Sequence, residues 1–131
     1  MDRLKECLNK LEPLKGKSID EFREDPYLQD VVERNLEVAA QSCIDIANRI
    51  ISLEDLQKPS DYYRAIEILG EAGILPAEFA QDLAPIAGFR NVLVHQYLEV
   101  DQEELFGKLH NLEQLYQFSE YIKKYLEEKE S

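Results

Sequence analysis

At 131 residues the chain is one domain's worth and long enough for a single real core. Hydrophobic residues make up 44% and charged residues 32%, a globular balance that excludes disordered and fibrous classes. The formal net charge of −12 argues against a broad electrostatic grip on nucleic acid, which needs a basic face. A local basic patch remains compatible with it.

Apolar residues recur at helical spacing, and glycine and proline number five each, so an all-helical domain is expected. The first helix is expected from Asp2 to about Lys15. Leu4, Leu8 and Leu11 share its inner face, and Pro13 with Gly16 closes it. Ser18 to Phe22 reads as a short capped turn, with Ser18 as N-cap and Glu21 three residues on. Asp25-Pro26 opens the longest helix, because aspartate caps and proline suits the first helical position. Leu28, Val32, Leu36, Ala39, Cys43, Ile46 and Ile50 step along it by threes and fours. Val31, Ala40, Ala47 and Ile51 widen the stripe, which predicts a central helix with several neighbours.

Residues 53–58 are expected as loop. Ser60 should cap a shorter helix through Tyr63, Ile66, Ile68, Leu69 and Ala72, ended by Gly73. Pro76 starts the next helix, lined inside by Phe79, Leu83, Ile86 and Ala87. Pro85 should kink or divide it before it runs into residues 90–97. Asp101 caps a last helix with the stripe Leu105, Leu109, Leu112, Tyr116, Ser119, Ile122 and Leu126, and the charged tail is a solvated end. With no repeat or linker, residues 1–131 read as one domain, an antiparallel up-and-down bundle of four to five helices. No apolar run approaches the ~20 residues that span a bilayer. The polar start lacks a targeting pattern, and Cys7 and Cys43 match no familiar metal-ligand spacing. Both are expected as buried thiols of a cytoplasmic protein.

The segment Arg90-Asn91-Val92-Leu93-Val94-His95-Gln96-Tyr97 concentrates the chemistry. Asn91 and His95 are four apart and stack on one helical face, where the asparagine can fix the imidazole's tautomer and orientation. Arg90 and His95 are five apart, an offset of roughly 140°, so they diverge within one regular helix. Either the helix ends near His95, or a second copy of the chain supplies the missing half in a symmetric dimer. Histidine can move a proton near neutral pH, and arginine can grip a phosphate bidentately and stabilise charge developing on it. Metal-free RNA cleavage needs those parts: a base for the 2′-hydroxyl, an acid for the leaving oxygen and a cation at phosphorus. A packed helix end, with Arg90 paired to one of many carboxylates, is the bland alternative. His110 is expected as a surface or helix-flank histidine.

Arg90-Asn91-x-x-x-His95-x-Tyr97 resembles the R-x-x-x-x-H-x-Y signature of the HEPN superfamily, closest to the HepT-like toxins of bacterial and archaeal toxin–antitoxin pairs. The resemblance extends through residues 61–76 and the stretch from Ala87 to Tyr97, and to Glu33, Arg34 and Asn35 on the long helix. It implies a homodimeric helical bundle and a metal-independent ribonuclease with Arg90 and His95 catalytic and no cofactor. It also implies a minimal nucleotidyltransferase antitoxin as partner, able to silence the toxin by transferring AMP to Tyr97. The acidic charge fits poorly with a wide RNA footprint. A catalytically weak nucleotide- or partner-binding subunit and a structural helical dimer therefore stand as alternatives.

Overall fold

The computed structural model describes residues 2–94 and 101–130 of the chain. They form helices throughout: α1 (Asp2–Leu11), α2 (Ile19–Glu24), α3 (Pro26–Leu53), α4 (Tyr62–Glu71), α5 (Ala77–Leu83), α6 (Ile86–Val94), α7 (Gln102–Leu109) and α8 (Glu113–Glu130). The architecture is the expected all-helical bundle. It has more segments than the four or five expected, because long apolar patterns are broken at identifiable places.

The 28 residues of α3 are its axis. The Asp25 carboxylate accepts the backbone N–H groups of Tyr27 and Leu28 at 3.1 and 3.2 Å, and Pro26 occupies the first helical position. Of the expected stripe Leu28, Val32, Leu36, Ala39, Cys43 and Ile50 are buried and Ile46 is partly so, with Ala47 buried beside it. α3 packs against α1, α2, α4, α6 and α7, as its wide stripe predicts. Val31 departs from that reading. It is 45% exposed, because it lies on the flank of the stripe that no described neighbour covers.

α1 buries Leu4, Leu8 and Leu11 as expected but stops at Leu11, and Glu12–Gly16 tightens into a 3-10 turn. Pro13 explains the early end: its ring lacks an N–H and would clash with the carbonyl one turn back. Ser18 makes a complete capping box. Its hydroxyl accepts the Glu21 N–H, and the Glu21 carboxylate accepts the Ser18 N–H, each at 3.1 Å. This fixes α2 so that Phe22 is buried against Phe106.

α4 corrects the sequence reading in two ways. Its cap is Asp61 rather than Ser60, with the carboxylate accepting the Arg64 N–H at 2.8 Å. An anionic acceptor suits the positive end of a helix better than a hydroxyl. Tyr63 also points outward, 44% exposed, because Ala65, Ile66, Ile68 and Leu69 take the core-facing side of the helix. Gly73 ends α4 as expected, with φ +78°. Its N–H bonds the Gly70 carbonyl and the Ile74 N–H bonds the Leu69 carbonyl, the left-handed closure that glycine adopts without strain. Pro85 divides α5 from α6, again as expected.

The last apolar pattern is two helices, not one. Asp101 caps α7 through the N–H groups of Glu103 and Glu104, and α7 stops at Leu109. His110 marks the break. It is exposed, yet its Nδ1 lies 3.0 Å from the Phe106 carbonyl and its Nε2 lies 2.8 Å from the Lys15 carbonyl. Its ring rests on Phe106 with centroids 4.4 Å apart. The ring thus lies between a carbonyl of the last turn of α7 and one of the 3-10 turn after α1, and its N–H can donate to either. The threes-and-fours spacing survives the break, so Leu105, Leu109, Leu112, Ser119 and Ile122 are all buried. Leu126 is exposed, since α8 outruns the core there.

One contiguous apolar cluster runs from Leu4 to Ile122 and includes both thiols. Cys7 and Cys43 are free and buried, and burial pushes both thiols up from their ordinary value. No helix among the described residues is long and apolar enough to cross a membrane.

Two packing features yield expectations. A Cβ at Gly70 would lie 2.6 Å from the Ala80 Cβ, so α4 and α5 touch through a missing side chain. Gly70→Ala should destabilise the protein by about 1–3 kcal/mol, read as a lower urea midpoint, because overpacking forces the two helices apart. The second feature is Glu54, which binds Lys129 Nζ at 2.7 Å and accepts the Tyr125 hydroxyl, fastening the end of α8 to the end of α3. The Lys129 contact first, then the Tyr125 hydroxyl, holds its carboxyl below the usual range. A depressed carboxylate stabilises fully above its unfolded value and loses that contribution as pH falls through the folded one. Wild type should therefore melt above Glu54→Gln at pH 7, and the gap should close on acidification below about pH 4.

Candidate active site

α6 is anchored by Ala87 and Leu93, both buried, with Phe89 packed partly against the core. Ile86 also packs partly against the core, Arg90 is half-buried on the flank of the helix, and Asn91 is exposed. The Arg90 guanidinium lies over the Tyr62 ring, 5.4 Å from the centroid, and its Nη1 donates to Asn91 Oδ1 at 3.1 Å. The ring face holds the cation by its quadrupole. Arg90 Nε is buried and has no hydrogen-bond partner among the described residues.

The electrostatic surroundings are unusual for this chain. Aspartate and glutamate number 27. Arg23 pairs with Glu103, Arg34 with Glu37, and Arg64 with Glu67 and Glu71. Arg90 alone of these arginines has no carboxylate in ion-pair reach among the described residues, which removes the bland account of it as one more surface pair. A guanidinium fixed on an aromatic face, with unspent N–H donors, is suited to gripping a bidentate anion.

Beside it lies a cleft of about 400 Å³ lined by Asp61, Tyr62, Tyr63, Ala87, Gly88 and Asn91. The Asp61 carboxylate is turned to the amide end of α4, so the helix end offsets its charge. Arg90 borders this cleft through Tyr62 and Asn91, whereas a larger groove of about 810 Å³, with Glu54, Gly73, Pro76, Tyr121 and Tyr125 among its walls, includes neither of those two residues. Its Glu54 is already engaged by Tyr125 and Lys129. Among the described residues no group of three His, Cys, Asp or Glu side chains is arranged to hold a metal ion.

Of the residues singled out in the sequence, the structure brings Arg90 and Asn91 together. His95 and Tyr97 lie outside the described residues. Glu33, Arg34 and Asn35 are not brought to Arg90 by any described contact. Asn35 Nδ2 donates to the Val31 carbonyl at 2.8 Å and Arg34 pairs with Glu37 at 3.3 Å, both within α3. The half-buried Glu33 carboxyl is pushed up, chiefly by burial and then by Asp30 and Glu37. Tyr62 is the partner that sequence reasoning missed. It lies 28 positions from Arg90 on another helix, and no periodicity links the two.

Residues 4–122 match a family described as Ribonuclease HepT-like. The chain belongs to that family. It is 30% identical over 121 residues to the mRNA nuclease HepT of Shewanella oneidensis, covering 92% of this chain and 90% of that protein. It is 33% identical over 99 residues to the tRNA nuclease HepT of Aphanizomenon flos-aquae, covering 76% of this chain and 67% of the relative. Among solved structures it is similar to the tri-AMPylated Shewanella oneidensis HEPN toxin in complex with its MNT antitoxin. The TM-score there is 0.84 at 28% identity, over 94% of this chain and 92% of that one.

Proposed function

We propose that this protein is the toxin of a toxin–antitoxin pair and acts as a metal-independent endoribonuclease. The observation that carries this is Arg90, an arginine without a carboxylate among the described residues of an acid-rich chain, held on Tyr62 at the edge of a cleft. Membership of the HepT-like ribonuclease family supports RNA as the substrate.

In this reading Arg90 binds the phosphate to be cut and stabilises the charge that builds on its oxygens. A histidine takes the proton of the 2′-hydroxyl as that oxygen attacks phosphorus. A second proton donor supplies the departing 5′-oxygen, and the 2′-oxygen ends in a cyclic phosphate. His95 carries the proton-transfer role. Two copies of the chain, each giving an Arg90 and a His95 to one cleft, provide both base and acid, which is why a homodimer is part of the proposal. Asn91 accepts from Arg90 through Oδ1, leaving its amide N–H groups free, and its position four residues before His95 suits it to orient the imidazole. The contiguous core supports residues 1–131 acting as one domain, and the buried free thiols suit a reducing cytoplasm.

The partner is a minimal nucleotidyltransferase antitoxin that transfers AMP to Tyr97. An adenylate two residues beyond His95 would place an anionic group where it offsets the charge of Arg90 and crowds the cleft. The complex of the AMPylated relative with its antitoxin supports this reading.

Two expectations follow from these roles. The purified protein should cleave RNA in EDTA. Arg90→Ala should lower the rate about 10²–10³-fold, as loss of a charge-stabilising donor does, and His95→Ala should abolish it. Cleavage that needs added metal, or that survives His95→Ala, would show the mechanism to be wrong. For regulation, co-expression with the antitoxin should add adenylate mass that Tyr97→Phe removes, read by intact mass spectrometry. An unchanged increment in Tyr97→Phe would place the modification elsewhere.

A further inference from the structure

Net charge −12 sets a difficulty that the cleft can resolve. Single strands are usually held by many Lys and Arg contacts to phosphates, and this surface is acidic. Affinity for RNA then has to come from a contact that does not depend on charge. We propose that the corner formed by Tyr62, Tyr63 and Gly88 is a stacking subsite for one unpaired nucleobase, flanking the phosphate that Arg90 holds. This rests on the ribonuclease reading of the same site and specifies its substrate as single-stranded RNA.

Three observations carry it. First, Tyr62 and Tyr63 stand next to each other at the start of α4, 39% and 44% exposed, and both line the cleft. Exposed aromatic rings beside a cation are the usual furniture of single-strand sites, because every base has a face to stack. Second, Tyr62 already carries the Arg90 guanidinium. Tyr63 has no ring or ionic partner among the described residues, so its face is the free platform. Third, Gly88 also lines the cleft, and a Cβ built there meets nothing within 4 Å. The space on that side of α6 is therefore open to an incoming group. At about 400 Å³ the cleft has room for a flat heterocycle.

The geometry also sets a selectivity. A base stacked on Tyr63 has to be splayed out of any helix, and A-form duplex keeps its bases stacked and paired. With Arg90 as the one phosphate ligand in this reading, the salt dependence should be shallow, since each neutralised phosphate of a single strand contributes a slope of about −0.7.

The test is binding of a short single-stranded oligoribonucleotide whose 2′-oxygens are methylated so that attack cannot start, followed by fluorescence anisotropy over a salt series. The wild-type protein should bind it at least tenfold more tightly than the duplex of the same sequence. Tyr63→Ala should weaken binding about tenfold, within the range that removal of one base–aromatic stack gives, and Tyr63→Phe should stay within about twofold. Gly88→Leu, which fills the cleft from an open helix position, should match Tyr63→Ala. All three should keep the wild-type salt slope, whereas Arg90→Ala should flatten it. Wild-type affinity in both Tyr63→Ala and Gly88→Leu, equal binding of duplex, or no binding by the wild type would overturn the subsite. If Tyr63→Ala loses its helical circular dichroism, Gly88→Leu decides the matter. The two readings separate cleanly. A protein that binds in this pattern but leaves cleavable RNA intact keeps the subsite and loses the nuclease. One that cuts RNA with undiminished rate in both variants does the reverse.

Discussion

An unbroken helix of 28 residues with a wide apolar stripe cannot be covered by any single neighbour. That constraint on α3 shapes everything around it. Helices on several sides have to converge on one axis, and each reaches it through a local device: the Ser18 capping box for α2, the Asp61 cap and Gly73 closure for α4, the Pro85 break for α6. The hydrophobic driving force is non-directional, so it demands coverage without specifying angles. Caps and breaks supply the angles.

The site depends on how α4 and α6 are delivered to that axis. Burial of Ala65, Ile66, Ile68 and Leu69 fixes the rotation of α4 about its axis, and that rotation sets Tyr62 against the Arg90 guanidinium. Asp61 sets where α4 begins, one residue before the ring on which the cation rests. The same α4 meets α5 at Gly70 without an intervening side chain, and α5 leads through Pro85 into α6. Position of the arginine and position of its ring are thus coupled through one short stretch of chain.

The charge distribution separates structure from chemistry. Most described cations that pair at the surface do so at helix spacing or across neighbouring helix ends, and such exposed pairs contribute little each. Arg90 is held differently, by a ring face and a neutral amide oxygen, which fix its place while leaving its charge uncompensated among the described residues. In a protein of net charge −12 this makes a small positive field inside a negative envelope. The arrangement suits a narrow grip on one phosphate rather than a broad footprint.

By itself the sequence determined the helices of the core and the chemistry of the motif. The threes-and-fours spacing of Leu28 to Ile50 and of Leu105 to Ile122 predicts the buried faces, because periodicity records which side of a helix meets the core. Asp25, Ser18, Gly73, Pro85 and Asp101 were legible for the same reason, since each acts through its own backbone neighbours. Arg90 and Asn91 were marked by residue type and spacing. What tertiary structure decided lies between elements. The outward turn of Tyr63, the contact of His110 with the Lys15 carbonyl where α7 stops, and the pairing of Arg90 with Tyr62 all join residues distant in sequence or compete between adjacent ones. Local periodicity carries no information about such contacts, because they follow from which helices the core's closure brings side by side.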